Sequence, residues 1–224
     1  MSIAQNIQAV RETIERVAEG RRIYLVGAAK TKPAEAVREA IAAGIDAIGE
    51  NHVQEIRAKG AEGAYEGAPV HLIGHLQRNK VRFVAGRVDL IESIDSAAIL
   101  TAVARRAAEL GAVQDVLLEI NIGREPDKTG MDPDALDETL ALAASLPGIR
   151  VRGLMAIPPA GRSGPYFDRM RKLFIDNAGK KYDNVYMDYL SMGMSHDYPE
   201  AIAAGANMVR VGSAIFGGRT YAAD

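Results

Sequence analysis

Glu39-Ala40-Ile41-Ala42-Ala43-Gly44 leads into the apolar run Ile45–Gly49. The same six residue types return as Glu200-Ala201-Ile202-Ala203-Ala204-Gly205, ahead of the apolar run Met208–Gly212. Each copy reads as the end of a helix. The alanines favour helix, the glycine accepts the left-handed conformation that stops one, and the chain then enters a strand. One helix-to-strand joint used twice predicts a multi-unit α/β fold. An open doubly wound sheet would use the same joint, so the repeat alone does not dictate closure.

Working outward, apolar runs recur at Ile23–Ala29, Val70–Gly74, Val88–Glu92, Asp115–Ile122, Val151–Ile157 and Val185–Leu190. Amphipathic stretches such as Pro33–Ala43, Ala97–Leu110, Pro133–Leu146 and Pro199–Ala204 lie between them. Strands that alternate with helices pair in parallel through right-handed crossovers. Ahead of these units Ile3, Ile7, Val10, Ile14 and Val17 are spaced as one stripe of a helix, expected to pack on the main body. Taking about 20 residues for that helix leaves about 25 for each of eight βα units, enough for a closed barrel. The expectation is one α/β domain over residues 1–224, a (β/α)8 TIM-type barrel over 21–224 with an extra N-terminal helix over 1–20. Gly161–Pro165 is the most loop-like stretch, between the sixth strand and its helix.

Composition narrows the function. Lys and Arg total 27 against 29 for Asp and Glu, a net charge of −2, which argues against a protein built to coat nucleic acid or an anionic membrane. There is no Cys, hence no disulfide framework, thiolate zinc site, iron–sulfur cluster or thiol nucleophile. The first twenty residues are interrupted by charges, and no later run suits a membrane helix, so a cytoplasmic protein is expected.

Active sites of parallel barrels are assembled from the carboxyl ends of the strands. Lys30 emerges there after Leu25-Val26-Gly27-Ala28-Ala29, where shielding from water would favour the neutral, nucleophilic amine over the ammonium. A snorkelling or ion-paired lysine fits the same position. Ser191-Met192-Gly193-Met194-Ser195 and Val211-Gly212-Ser213-Ala214 follow the seventh and eighth runs and combine glycine, hydroxyls and a helix start. Backbone N–H groups so placed suit an anion, and barrels often hold phosphate there. Arg210, within the last run, needs an acceptor if buried, and Glu50 or Asp188 is the expected ion-pair partner alongside a ligand contact. His71 and His75 lie on a strand and turn rather than a helix, so no metal site is expected. No dinucleotide fingerprint is present, and Ser191, His196 and Asp197 are too close in sequence to face one another as a triad.

Six motifs then match a family in order. Ala29-Lys30-Thr31-Lys32-Pro33, Gly49-Glu50-Asn51, the run His71–Lys80, Gly153–Ile157, Ser191–Ser195 and Val209–Gly217 resemble the pyridoxal-phosphate homeostasis proteins. These are the YggS/PROSC-type single-domain barrels related to the N-terminal domain of alanine racemase. The resemblance implies pyridoxal 5′-phosphate held as a covalent aldimine at Lys30. It implies phosphate contacts from Ser191, Gly212 and Ser213 with backbone N–H groups near Met192 and Gly193. It places Arg210 at the pyridine nitrogen, Asn51 and Met155 along the ring, and Lys128 near the mouth. Ala29, Ile48 and Asn207 depart from the family's usual Ser, Phe and Thr or Ser.

Two classes of function compete. One is a cofactor-binding protein acting in vitamin B6 homeostasis and delivery to apo forms of pyridoxal-phosphate enzymes, as a monomer with little or no turnover. The other is a pyridoxal-phosphate-dependent racemase-like enzyme. Arginine stays protonated and cannot take a proton from the ring nitrogen, which leaves the ring a poorer electron sink, though racemases of this type still manage with it. Racemases also recruit a second base from an added β-domain, for which about ten residues after Gly212 leave no room. Tyr189 and Tyr198 are the tyrosines nearest the inferred site, both expected to serve packing. Binding and delivery is therefore the expectation. A Schiff-base aldolase acting on phosphosugars would use a similar lysine and anion site.

Overall fold

The computed structural model describes residues 1–159, 161 and 163–218. Eight strands, β1 (Tyr24–Ala28), β2 (Ala47–Glu50), β3 (Val70–Leu72), β4 (Leu90–Ile94), β5 (Gln114–Glu119), β6 (Ile149–Met155), β7 (Val185–Ser191) and β8 (Met208–Val211), pair in parallel in sequence order and close β8 onto β1. Around them lie α1 (Ile3–Ala18), α2 (Ala34–Ala42), α3 (Val53–Ala61), α4 (Ala97–Glu109), α5 (Leu136–Ser145), α6 (Ser163–Ala178), α7 (Tyr198–Ala203) and α8 (Ser213–Phe216). Short 3-10 turns occupy Arg78–Phe83 and Pro133–Ala135. The barrel is thus closed as the unit count predicts.

The repeated joint behaves identically in both places. Gly44 and Gly205 have φ of +82° and +111°. Around them Gly44 N bonds Ile41 O and Ile45 N bonds Ala40 O, while Gly205 N bonds Ile202 O and Ala206 N bonds Ala201 O. These paired bonds satisfy the carbonyls orphaned at the helix ends and release the chain into β2 and β8.

Strand alternation divides the apolar residues into two layers. Ile48, Leu72, Ile91, Leu118, Leu154, Leu190 and Val209 point outward into a core shared with the helices. Val26, Ala47, Leu90, Leu117, Met155 and Met208 point inward and fill the barrel. Ser2 caps α1 in a reciprocal box with Gln5, and the helix buries Ile7, Val10, Ile14 and Ala18. It lies against α2, α7 and α8, covering the seam where the last unit meets the first.

Two sequence readings are adjusted. The fourth strand runs over Leu90–Ile94 rather than Val88–Glu92, which brings Ser93 and Ile94 into the sheet. Ser163–Pro165, read as loop, forms the first turn of α6, where proline's missing N–H leaves no helical bond unmade.

Candidate functional site

Four of the predicted residues meet at the carboxyl end of the barrel. Lys30, Arg210, Gly212 and Ser213 line one pocket of about 220 Å³, with Ser195 and His196 on its wall. The barrel's closure explains this meeting: β1 and β8 are hydrogen-bonded neighbours, with Gly27 opposite Val211, so the chain segments leaving both strands rise side by side.

Lys30 sits on a segment held from one helix. Lys59 of α3 is buried, and its Nζ donates to Ala29 O at 3.0 Å and to Glu50 Oε1 at 2.7 Å. Thr31, with φ of +64°, donates its N–H to Glu55 Oε1 at 2.6 Å. A β-branched residue rarely adopts that conformation, and the Glu55 bond helps hold it. Burial pushes the Glu50 carboxyl above its ordinary range, opposed by Lys59 and by a bond from the Tyr65 hydroxyl.

Arg210 lies inside the barrel, 3% exposed. Its Nη2 donates to Ala156 O at 3.0 Å and its Nη1 to Ser191 Oγ, while Glu92 Oε2 stands 3.7 Å away. Ser191 Oγ donates to Glu92 Oε2 at 2.6 Å, and His71 Nδ1 bonds Glu92 Oε1 at 2.8 Å. Burial pushes the Glu92 carboxyl up, but His71, Arg210 and Ser191 outweigh it and hold the group below its usual range. Burial likewise pulls the Arg210 guanidinium below the ordinary arginine value, against the opposing carboxylates. It remains a cation at neutral pH.

The partner of Arg210 is therefore neither Glu50 nor Asp188, as the sequence suggests. Glu50 shares the outward parity of Ile48 and turns to Lys59 and Tyr65; Asp188 pairs with Arg152 at 2.6 Å. Glu92 shares the inward parity of Leu90, which brings it to Arg210.

Backbone donors converge at the start of α8, where the sequence reading expects an anion. Gly212 N and Ala214 N both point to Ser195 Oγ, at 3.1 and 3.2 Å. A Cβ on Gly212 would stand 3.2 Å from Ala28 O, tight enough to press on the strand that leads to Lys30. A hydroxyl oxygen thus already sits against converging backbone donors beside Lys30.

The remaining predicted residues lie around this centre. Ser191 is fully buried beneath the pocket and its hydroxyl is committed to Glu92 and Arg210. Met155 is fully buried within the inner layer, and Met192 in the sheet–helix layer. Gly193, with φ of +95°, accepts from Arg210 N at 3.0 Å through its carbonyl. Asn51 does not line the Lys30 pocket; it borders a separate hollow with His75, Gln77 and Lys80. Lys128 pairs with Glu125 at 2.6 Å and borders another hollow that shares Met194 and His196 with the Lys30 pocket.

Tyr189 lies opposite Gly153 and tilts against Tyr24, the first residue of β1, while Tyr198 is buried at the start of α7; neither lines the pocket. Among the described residues no cluster of metal ligands occurs, and no helix is long and apolar enough to cross a membrane.

Lys59, Glu55 and Glu92 join the site beyond the sequence reading, while Ser195 belongs to the hydroxyl-bearing loop Ser191–Ser195. Glu92 carried a signal: a lone acid in Leu90–Ile94 matched by a lone base in Met208–Val211. Lys59 and Glu55 carried none, because α3 is only weakly patterned.

The closed parallel barrel, with a lysine after its first strand and converging backbone donors after its last, is of the barrel class found in one half of alanine racemase. The family model described as "Alanine racemase, N-terminal domain" matches residues 1–220. The chain belongs to that family and, within it, to the pyridoxal phosphate homeostasis proteins. It is 44% identical to the protein of that name from Escherichia coli (strain K12), covering 98% of this chain and 97% of that one. The solved structure of PipY from Synechococcus elongatus PCC7942 with PLP bound matches at a TM-score of 0.86 and 35% identity, over 96% of this chain and 100% of that one. Alanine racemase from Corynebacterium glutamicum shares the fold at a TM-score of 0.72 and 18% identity, with 98% of this chain laid on 61% of that one.

Proposed function

We propose that this chain binds pyridoxal 5′-phosphate at the carboxyl rim of its barrel and acts in intracellular vitamin B6 homeostasis, holding and handing on the cofactor with little or no turnover. The observation that carries the reading is the pairing of β1 with β8, which sets Lys30 beside the donors of Gly212 and Ala214. An amine and an anion position in one pocket suit a phosphorylated aldehyde.

The cofactor's aldehyde would supply the electrophile for a reversible C=N linkage, and Lys30 is the amine we assign to it. Gly212 and Ser213 would receive the phosphate, with Ser195 exchanging its present bonds for it. Arg210 would face the pyridine nitrogen, steadied from below by Ser191 and Glu92. Asn51 would line the ring, as the family resemblance implies. Met155 would form the apolar support beneath, and the turn at Gly193 would shape the phosphate end; the Met192 N–H, expected at the phosphate, instead donates to Met208 O at 3.2 Å.

Two features favour keeping over turnover. Arg210 is a poor proton donor to a ring nitrogen, and its ties to Glu92 and Ala156 leave it fixed. Tyr189 and Tyr198, the nearest tyrosines in sequence, are placed in packing roles, so neither stands ready as a second base. The recipients on this reading are apo forms of pyridoxal-phosphate enzymes, met in the cytoplasm by a monomer.

Borohydride reduction of the loaded protein followed by peptide mass mapping tests the site. A pyridoxyl adduct on Lys30 is expected, and an adduct on any other residue would overturn the assignment. The cofactor-saturated protein is expected to leave amino acids unchanged; racemisation or decarboxylation at an enzyme-like rate would replace this reading with the enzymatic one.

A further inference from the structure

The sequence motif His71–Lys80 contributes His71 to the barrel interior, but its last residues lead elsewhere. Arg78, Asn79 and Lys80 begin the 3-10 turn Arg78–Phe83, which packs on α4. Between the two runs a groove of about 650 Å³, bordered by Arg78, Lys80, Arg82, Phe83, Arg105 and Arg106. A second hollow shares Arg78 and Arg105 and continues along α4 past Ala97, Ala98 and Thr101.

The charge here is one-sided. Arg57 and Arg82 both stand over the Phe83 ring, each guanidinium carbon 4.6 Å from its centroid. Glu109 is the single acid of the groove lining, and Arg105 and Arg106 share it at 3.8 and 3.0 Å. Among the described residues, Arg57, Arg78, Lys80 and Arg82 have no carboxylate within ion-pair distance. A chain whose net charge is −2 thus gathers cations along one groove without balancing them.

We infer that the groove between the 3-10 turn Arg78–Phe83 and α4 is a docking surface for an acidic segment of a protein partner, whose Asp and Glu side chains pair with Arg78, Lys80, Arg82 and Arg105. Arginine forks match carboxylates in a bidentate manner, and repulsion among the unpaired cations is relieved by such a partner. Ala97, Ala98 and Thr101 are exposed and short, so the backbone of a docked segment has room to lie against α4. Nucleic acid fits less well. Phe83, the aromatic residue of the groove, is already overlain by two guanidinium groups, with which a stacking base would have to compete. The chain's overall negative charge also opposes a long polyanion.

Lys80 also lines the hollow that holds Asn51 and His75, so the groove opens toward the barrel mouth. A partner seated there would reach the hollow of Asn51 and His75 at the strand ends. That the partner receives the cofactor rests on the function proposed above; the docking itself does not.

The test uses the full chain loaded with cofactor and a fluorescein-labelled helical Glu/Ala peptide, followed by anisotropy. Arg78→Ala/Arg82→Ala/Arg105→Ala is expected to weaken peptide binding by about tenfold, as loss of several exposed pairs requires. Arg16→Ala/Lys172→Ala/Lys181→Ala removes the same charge elsewhere and is expected to bind as the parent does. Both variants are expected to keep the visible absorption of the loaded cofactor, which reports an intact barrel. Equal peptide affinity in parent and groove variant would overturn the inference. So would tighter binding of a single-stranded oligonucleotide of equal charge, or loss of cofactor from the groove variant alone. Peptide binding that persists while an acidic apo-enzyme gains no cofactor would uphold docking and refute delivery.

Discussion

Lys59 donates to the carbonyl of Ala29 at 3.0 Å, so the peptide that enters Lys30 is held by a buried ammonium from α3. The peptide that leaves Lys30 is held by Glu55 of the same helix through Thr31 N. The position of Lys30 therefore depends on α3 as well as on β1, and variants of α3 test that dependence without touching the pocket.

Lys59→Met removes the ammonium and leaves Glu50 buried with Tyr65 as its remaining side-chain partner. Breaking a buried pair in this way costs about 3–5 kcal/mol. Burial already raises the Glu50 pKa, and loss of Lys59 raises it further. A group whose folded pKa is raised loses its contribution as pH rises through that value. The variant is expected to be weakest at neutral and alkaline pH and to recover toward acid pH, as urea unfolding at several pH values will show. Lys59→Met/Glu50→Gln is expected to regain much of the loss.

Glu92→Gln tests the interior network. The folded protein holds this carboxyl below the ordinary value of 4.5. Its contribution is present above the unfolded value and disappears as pH falls below 4.5 through the folded one. The glutamine variant is expected to be less stable at neutral pH by about 3–5 kcal/mol, since Arg210 loses its buried counter-charge. Its stability should also fall less steeply in acid, measured by denaturant titration across the acid limb.

Ser195→Ala strips the acceptor from Gly212 N and Ala214 N. The stability cost is about 1–3 kcal/mol, as for two modest hydrogen bonds. Cofactor retention is expected to weaken about tenfold, equivalent to about 1.4 kcal/mol, in equilibrium dialysis. Unchanged retention would remove Ser195 from the phosphate position.

Gly44→Ala and Gly205→Ala test the repeated joint. Both residues occupy positive φ, where a Cβ is disfavoured, and each substitution is expected to cost about 1 kcal/mol. Gly44 has open space around its would-be Cβ, whereas Gly205 would press on Arg171 at 3.1 Å. Gly205→Ala is therefore expected to lower the melting temperature more than Gly44→Ala.

Much of this architecture is legible along the chain because strand and helix periods differ and the joint repeats. Lys30, Arg210, Gly212 and Ser213 were legible because strand ends converge on one face of a parallel barrel. Ser191 shows where such reading stops. It lies at a strand end, but its inward parity turns the hydroxyl to Glu92 and Arg210 beneath the pocket. Parity depends on register, and register is not written in a single strand. Lys59 is hidden for another reason: its partners, Ala29 just past β1 and Glu50 at the end of β2, come together only through the pairing of those two strands.

The two copies of the joint have a geometric consequence. They feed β2 and β8, and both of these strands flank β1, with Val26 facing Ala47 on one side and Arg210 on the other. The strand that carries Lys30 is thus levelled from left and right by the same local device. A change in chain length at either joint would shift one neighbour against β1 and skew the height of the amine relative to the backbone donors of Gly212. The altitude of Lys30 is set by two matched hinges lying far apart in the chain.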